Sequence, residues 1–511
     1  MMKYKFFICA ILFIAVIAHA ADPLLGDLGL DSDVSKEEKS YTCVAAPPPA
    51  PPAQHSSAEG LPPLPLPVVP LRRTEKKSPP RPPVLIAKVS TQDRNDWATN
   101  PTDAQNLLKW MAKNLNVNFS DMVLPDNQIP SDPKTVPILY RTGHEAFAFT
   151  PQQKQNLRQY LFNGGTIILE SCCGRRAFAE AALREIRDLI PERPPYRLSN
   201  DHPLFKSYFD IRSIKYRPYA LKAGAKDGRA DIIGVDVGCR TAVFVFRWDV
   251  SCGWDDQPDT TRHHCLGYDI QTSKQLGANL LAYISSERSS ALPLSQALEF
   301  ADADKSANDK FRIAQVKYSG LWKCREAGLS MLLSNFHEQT KVPVLFEREE
   351  VALTSAHLFD LPFVYMTGHQ DFQLTDAECA ALAKYIRQGG VVFAESCCGR
   401  DTFTKAFRRE IAHALDGAKL ERLPVNHPIF FYPNNIKDVQ PLPALAEKLQ
   451  AKTRIQPELY GLSIDGHLGV IFSPHGLACG WELAQCPYCG GIHSKDALAL
   501  GINILSASLL Q

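Results

Sequence analysis

The chain has 511 residues, of which 45% are hydrophobic and 22% charged, with a formal net charge of +1. That length and apolar content suit two or more domains with sizeable cores. The near-balanced charge gives no footing for nucleic acid or an acidic polymer as partner.

In chain order, Lys3 and Lys5 precede an apolar run from Phe6 to Ile17 that ends in Ala18-His19-Ala20. This pattern predicts a secretory signal peptide over 1–20 and export to a periplasm or the exterior. The run is short for a membrane span, which needs about 20 apolar residues, and no later segment is predicted to span. Residues 21–83 follow as a disordered linker. Pro47 to Pro83 holds 14 prolines in 37 residues, with a basic patch at Arg72, Arg73, Lys76, Lys77 and Arg81. It reads as an extended, solvated spacer, with weak surface contact through the basic patch as the alternative.

From Val84 the apolar signals alternate between strand and helix. Strands are predicted at Val84–Val89, Val136–Tyr140, Thr166–Leu169 and Thr241–Phe246. Helices are predicted over Thr102–Leu115, from Thr150-Pro151 to Phe162, after Arg175, and over Gln275–Ile284. The alternation predicts an α/β fold with a mostly parallel sheet covered on both faces. Tyr140–Ile186 then recurs as Tyr365–Ile411, without a gap, with 21 of 47 positions identical. The chain is therefore read as two tandem three-layer α/β domains, 84–285 and 310–511, joined by residues 286–309.

The functional signals sit at predicted strand ends, where such sheets bind ligands. They are the TGH histidines His144 and His369, and the ESCCGR segments carrying Glu170, Cys172 and Cys173 in one copy and Glu395, Cys397 and Cys398 in the other. DHPLF and NHPIF add His202 and His427. Cys252 and Cys265 match Cys479 and Cys489. Four matched cysteines per copy in an exported chain favour two disulfides, with Cys172 and Cys173 reaching to Cys252 or Cys265, and Cys397 and Cys398 to Cys479 or Cys489. A zinc site is the second reading, from the CPYC segment and His263-His264-Cys265. A thiol nucleophile at Cys172 and Cys397 is the third. Cys239, Cys324, Cys379, Cys43 and Cys486 have no counterpart between the copies and no assigned role. Glu170 and Glu395 are read as ligand-binding, or as partners of Arg175 and Arg400.

The order TGH, GG, ESCCGR, DHPLF, GCRTAVF, SCGW and GANLL resembles the DUF4159 family in its cysteine-containing form, here twice between Val84 and Leu510. The resemblance implies a class I glutamine amidotransferase-like fold, also described as flavodoxin-like, and no established activity. Cysteine amidotransferases of that fold have glycine where Glu170 stands, and their His-x-Glu pair is missing here. The resulting expectation is an exported, non-catalytic binding or scaffold module for an unknown ligand or protein, with disulfide-stapled clefts and no committed cofactor. The alternative is a thiol- or zinc-dependent hydrolase or amidase.

Overall fold

The computed structural model describes residues 83–291 and 310–509, apart from 92–94, 260–263, 326, 347–348 and 484–485. The expected signal peptide, nearly all of the Pro-rich segment, Cys43, His263 and most of the joint lie outside these residues.

Each half is built on a seven-stranded sheet. In the first, the strands are β1 (Val84–Ser90), β2 (Ser120–Pro125), β3 (Ile138–Gly143), β4 (Thr166–Ser171), β5 (Tyr196–Arg197), β6 (Ile232–Val237) and β7 (Arg240–Phe246). Their order is β2-β1-β3-β4-β7-β6-β5. The five from β2 to β7 are parallel, and β6 and β5 close one edge antiparallel. The second half repeats this with β8 (Ile313–Lys317), β9 (Glu349–Ala352), β10 (Phe363–Gly368), β11 (Val391–Ser396), β12 (Glu421–Arg422), β13 (Tyr460–Ile464) and β14 (His467–Ser473). Its order is β9-β8-β10-β11-β14-β13-β12. The parallel part follows the doubly wound order 2-1-3-4-5, so its ligand crevice lies beyond the strand C-termini.

The strand pleat explains why helices cover both faces. On β3 and β4, Ile138, Tyr140 and Ile168 point into a core with Leu107, Leu108 and Met111 of helix Asp103–Leu115 and Leu280 of helix Ile270–Ala291. The alternate residues Leu139, Ile167 and Leu169 meet Leu157 and Leu161 of helix Pro151–Phe162 and Phe178, Leu183 and Ile186 of helix Arg176–Leu189. Period-2 alternation with a buried residue at every position is the pattern of a sheet covered on two sides. Thr150 begins its helix with a full capping box to Gln153, and Thr375 does the same with Glu378. Two orphan backbone donors are satisfied at each of these starts.

Trp254 and Trp481 pack as expected. Each is fully buried, and each indole N–H donates at 2.9 Å to a carbonyl of the closing helix, Ser273 and Ala497 respectively. Among the described residues, no helix is long and apolar enough to cross a membrane.

Candidate functional site: two sulfur clusters at strand ends

The central strands β4 and β11 each end in Glu-Ser and run directly into the Cys-Cys-Gly turn. The first carboxylate is fully buried. Glu170 accepts the backbone N–H groups of Val250 (3.1 Å) and Ser251 (3.4 Å), and a short hydrogen bond from the Thr142 hydroxyl. Glu395 accepts from Ala478 N–H (3.1 Å), Leu477 N–H, Tyr365 OH (2.7 Å) and Thr367 OH (3.2 Å). Burial pushes these carboxyls up to about 8 and about 7. Sequence predicts a ligand-binding role for these carboxylates, or pairing with Arg175 and Arg400; in the structure they instead bond to backbone N–H groups and hydroxyls. They satisfy the free donors at the start of the short SCGW and ACGW helices, and so fix Cys252 and Cys479 against the strand ends.

The turn itself is strained. Cys173 has φ 52° and Cys398 φ 54°, the left-handed region that non-glycine residues rarely occupy. The strained residue is thus the second cysteine of each pair, one later than the nucleophile position expected. Asp249 holds the Cys173 N–H at 2.6 Å, and the Cys173 carbonyl accepts Leu266 N–H at 3.3 Å. In the other copy the Cys398 carbonyl accepts Gly490 N–H at 2.8 Å. These bonds draw in the loops that carry Cys265 and Cys489. Gly174 and Gly399 follow with φ +68° and +63°, packed so closely on Leu266 and Gly490 that a Cβ would collide with a backbone carbonyl.

The result is two buried clusters of sulfur. In the first half, Cys172, Cys173, Cys252 and Cys265 cluster together. Cys172 Sγ lies 4.0 Å from Cys173 Sγ, and Cys173 Sγ lies 3.9 Å from Cys252 Sγ. The Asn100 amide donates to Cys252 Sγ at 3.3 Å. In the second half, Cys397, Cys398, Cys479 and Cys489 are joined by Cys324, Cys486 and, from the first half, Cys239. Cys398 and Cys479 sulfurs are 3.5 Å apart, and Cys239 and Cys397 sulfurs 3.3 Å.

Among the described cysteines, all buried, none of the expected disulfides is formed, and the sulfur separations above far exceed the ~2.05 Å of an S–S bond. The physical reason is the geometry of the turn: the sulfurs of each cluster converge together instead of approaching in bonded pairs.

The convergence defines possible ligand sets. Cys172, Cys173, Asp249 and Cys252 offer donor atoms that all lie within 4.8 Å of one another. At the second cluster there are two sets, Cys239, His369, Cys397 and Cys398, and Cys398, Cys479 and Cys489; a further set of Cys379, Glu410 and His413 lies apart from the strand ends. Cys398 belongs to both sets at the cluster. Arg325 lies beside this cluster in an ion pair with Glu482 at 3.2 Å, and the Cys239 and Cys479 sulfurs favour its charge. Hydrogen bonds from neighbouring thiols, Cys239 first, hold Cys398 and Cys479 well below the ordinary thiol range.

The model for a domain of unknown function, DUF4159, matches residues 85–284 and again 312–509. The chain belongs to the DUF4159 family. It carries two tandem DUF4159 domains, and each is the α/β unit described above. No curated protein matches the chain. Among solved structures, a Silicibacter pomeroyi DSS-3 protein described as a phosphosugar isomerase is similar over 61% of this chain and 75% of its own, at 11% identity and a TM-score of 0.14. A score that low says nothing about the present site.

The histidines divide into two kinds. His202 and His427 are structural caps: their Nδ1 atoms accept Leu204 N–H at 3.1 Å and Ile429 N–H at 3.2 Å, opening the short turns at Pro203 and Pro428. Burial drives His202 down to about 3 and lowers His427. The TGH histidines instead reach the sulfur clusters. His144 is half-buried, and its backbone N–H donates to the Asp96 carboxylate at 2.8 Å; burial opposes the charge of its ring, but a hydrogen bond to Cys172 and then Asp96 raise its pKa. His369 is 6% exposed because the first DUF4159 domain covers it, and its Nδ1 lies 3.3 Å from Asp236 of β6.

Cys239, Cys324 and Cys486, unassigned in the sequence, complete the second cluster. Cys239 sits at the β6–β7 turn of the first domain, where no alignment of the two copies would look. The one available signal was its lack of a counterpart. Cys379 stands apart, 3.5 Å from His413 Nδ1, and His264 stacks on Tyr219.

Proposed function

We propose that the protein is an exported binding module whose two DUF4159 domains hold thiophilic metal, zinc by chemistry, on the strand-end cysteines. The observation that carries this reading is the sulfur spacing. Four sulfurs at ~2.3 Å from a tetrahedral zinc lie about 3.8 Å apart, and Cys172–Cys173 and Cys173–Cys252 are at 4.0 and 3.9 Å. Thiolate donors select zinc or iron–sulfur chemistry over hard cations. In the second domain, Asp236 on His369 Nδ1 leaves Nε2 without a hydrogen-bond partner. A carboxylate behind an imidazole is the usual support for a histidine ligand.

A thiol hydrolase is the second reading, favoured by the hydrogen bond between His144 and Cys172. Against it stand the complete burial of Cys172 and its position among three other cysteines, with the Asn100 amide 3.6 Å from its sulfur. A nucleophile needs an approach for substrate that this position does not offer.

Metal analysis of the full chain, purified without chelator, tests the proposal. The strand-end cysteine sets predict one ion in the first domain and two in the second, sharing Cys398. Cys398→Ser should lower the content by more than Cys252→Ser does. Metal-free protein with a full complement of reactive thiols would favour the hydrolase, and metal-free protein with blocked thiols would restore the disulfides.

A further inference from the structure

The two DUF4159 domains enclose a cleft of about 570 Å³ between them. One wall is the segment around β5 of the first domain, with Tyr196 and His202; the other is the second domain's strand-end loops, with His369, Gln370, Arg400 and Thr402. It lies over the second crevice alone, because the first domain reaches across with Asp236 and Cys239. The size is that of a small-molecule site.

Its polar groups are mostly donors, and several are unspent. Arg400 gives its Nη1 to the Asp201 carbonyl at 3.3 Å, while its Nε has no partner. Gln370 Nε2 is likewise buried without a partner. The acceptors nearby are engaged: Asp371 pairs with Arg409 at 2.9 Å, and both Asp201 carboxylate oxygens accept the Thr402 hydroxyl at 3.1 Å. A second guanidinium, Arg197, lines the same cleft and pairs with Asp231 at 3.3 Å. Leaving buried donors unmade is costly, and a planar guanidinium matches an oxyanion.

We infer that this cleft binds a small organic molecule bearing a phosphate or carboxylate group, with Arg400 as its principal contact and Gln370 as a second. The inference rests on the cleft's own donors and stands apart from the metal reading, although His369 separates the cleft from the sulfur cluster.

Calorimetric titration of the full chain with inorganic phosphate and with succinate tests it. Saturable binding of at least one probe is expected, weakened at least about tenfold in Arg400→Gln and about threefold or more in Gln370→Leu. Gln370 makes no buried structural bond, so its variant keeps the test valid if Arg400→Gln fails to fold. Unchanged affinity in a folded variant would place the anion elsewhere and overturn the inference, as would absence of saturable binding of both probes. A chain that binds the probes but lacks metal would sustain this inference and refute the metal reading.

Discussion

Glu395→Leu should destabilise the second domain by roughly 3–5 kcal/mol, the cost of leaving several buried donors without their acceptor. Among the described residues, its carboxylate is the acceptor of the Leu477 and Ala478 N–H groups and of the Tyr365 hydroxyl. Leucine fills similar space and strands all three donors in the core, each unmade bond carrying about 1–3 kcal/mol. Glu395→Gln keeps an acceptor oxygen in place and should cost far less. The same pair at Glu170 should behave alike in the first domain, where Val250, Ser251 and Thr142 lose their acceptor. Denaturant unfolding of the four variants reads this directly. A leucine variant within about 1 kcal/mol of wild type would show that Glu170 and Glu395 do not anchor the cysteine helices.

Chelation is the second large effect. Metal bound only by the folded chain contributes its binding energy to folding. Removal should cost each domain on the order of 5 kcal/mol, and a domain of this size loses about 2–4 °C for each kcal/mol. A melting temperature lower by ~10–20 °C is therefore expected in strong chelator, with reductant alone having little effect. The second domain should fall further, since its cluster also ties the two domains together through Cys239. The reverse outcome, sensitivity to reductant and indifference to chelator, belongs to disulfides.

Much of the fold was legible in local pattern. The β1, β3, β4 and β7 runs, the Thr150-Pro151 helix start and the duplication all follow from periodicity, capping and self-similarity. Strands β2 and β6 were missed for physical reasons. Ser120–Pro125 is a half-exposed edge strand with a polar start, and Gly234 and Asp236 interrupt the apolar run of β6. The site was legible in place and not in state. Strand-end logic located His144, Glu170 and both cysteine pairs, but the number of cysteines cannot say whether sulfurs meet in pairs or in a cluster. The role of Glu395 depends on backbone donors 82 and 83 residues away. That of Cys239 depends on a contact between domains, 158 residues from Cys397. No periodicity reports either.

X-ray absorption at the metal edge of the purified full-length protein separates bound metal from paired sulfurs. Bound zinc is expected, coordinated mainly by sulfur at about 2.3 Å, with loss of part of that signal in Cys398→Ser. A protein without metal, with sulfurs paired at about 2.05 Å, would contradict the metal reading.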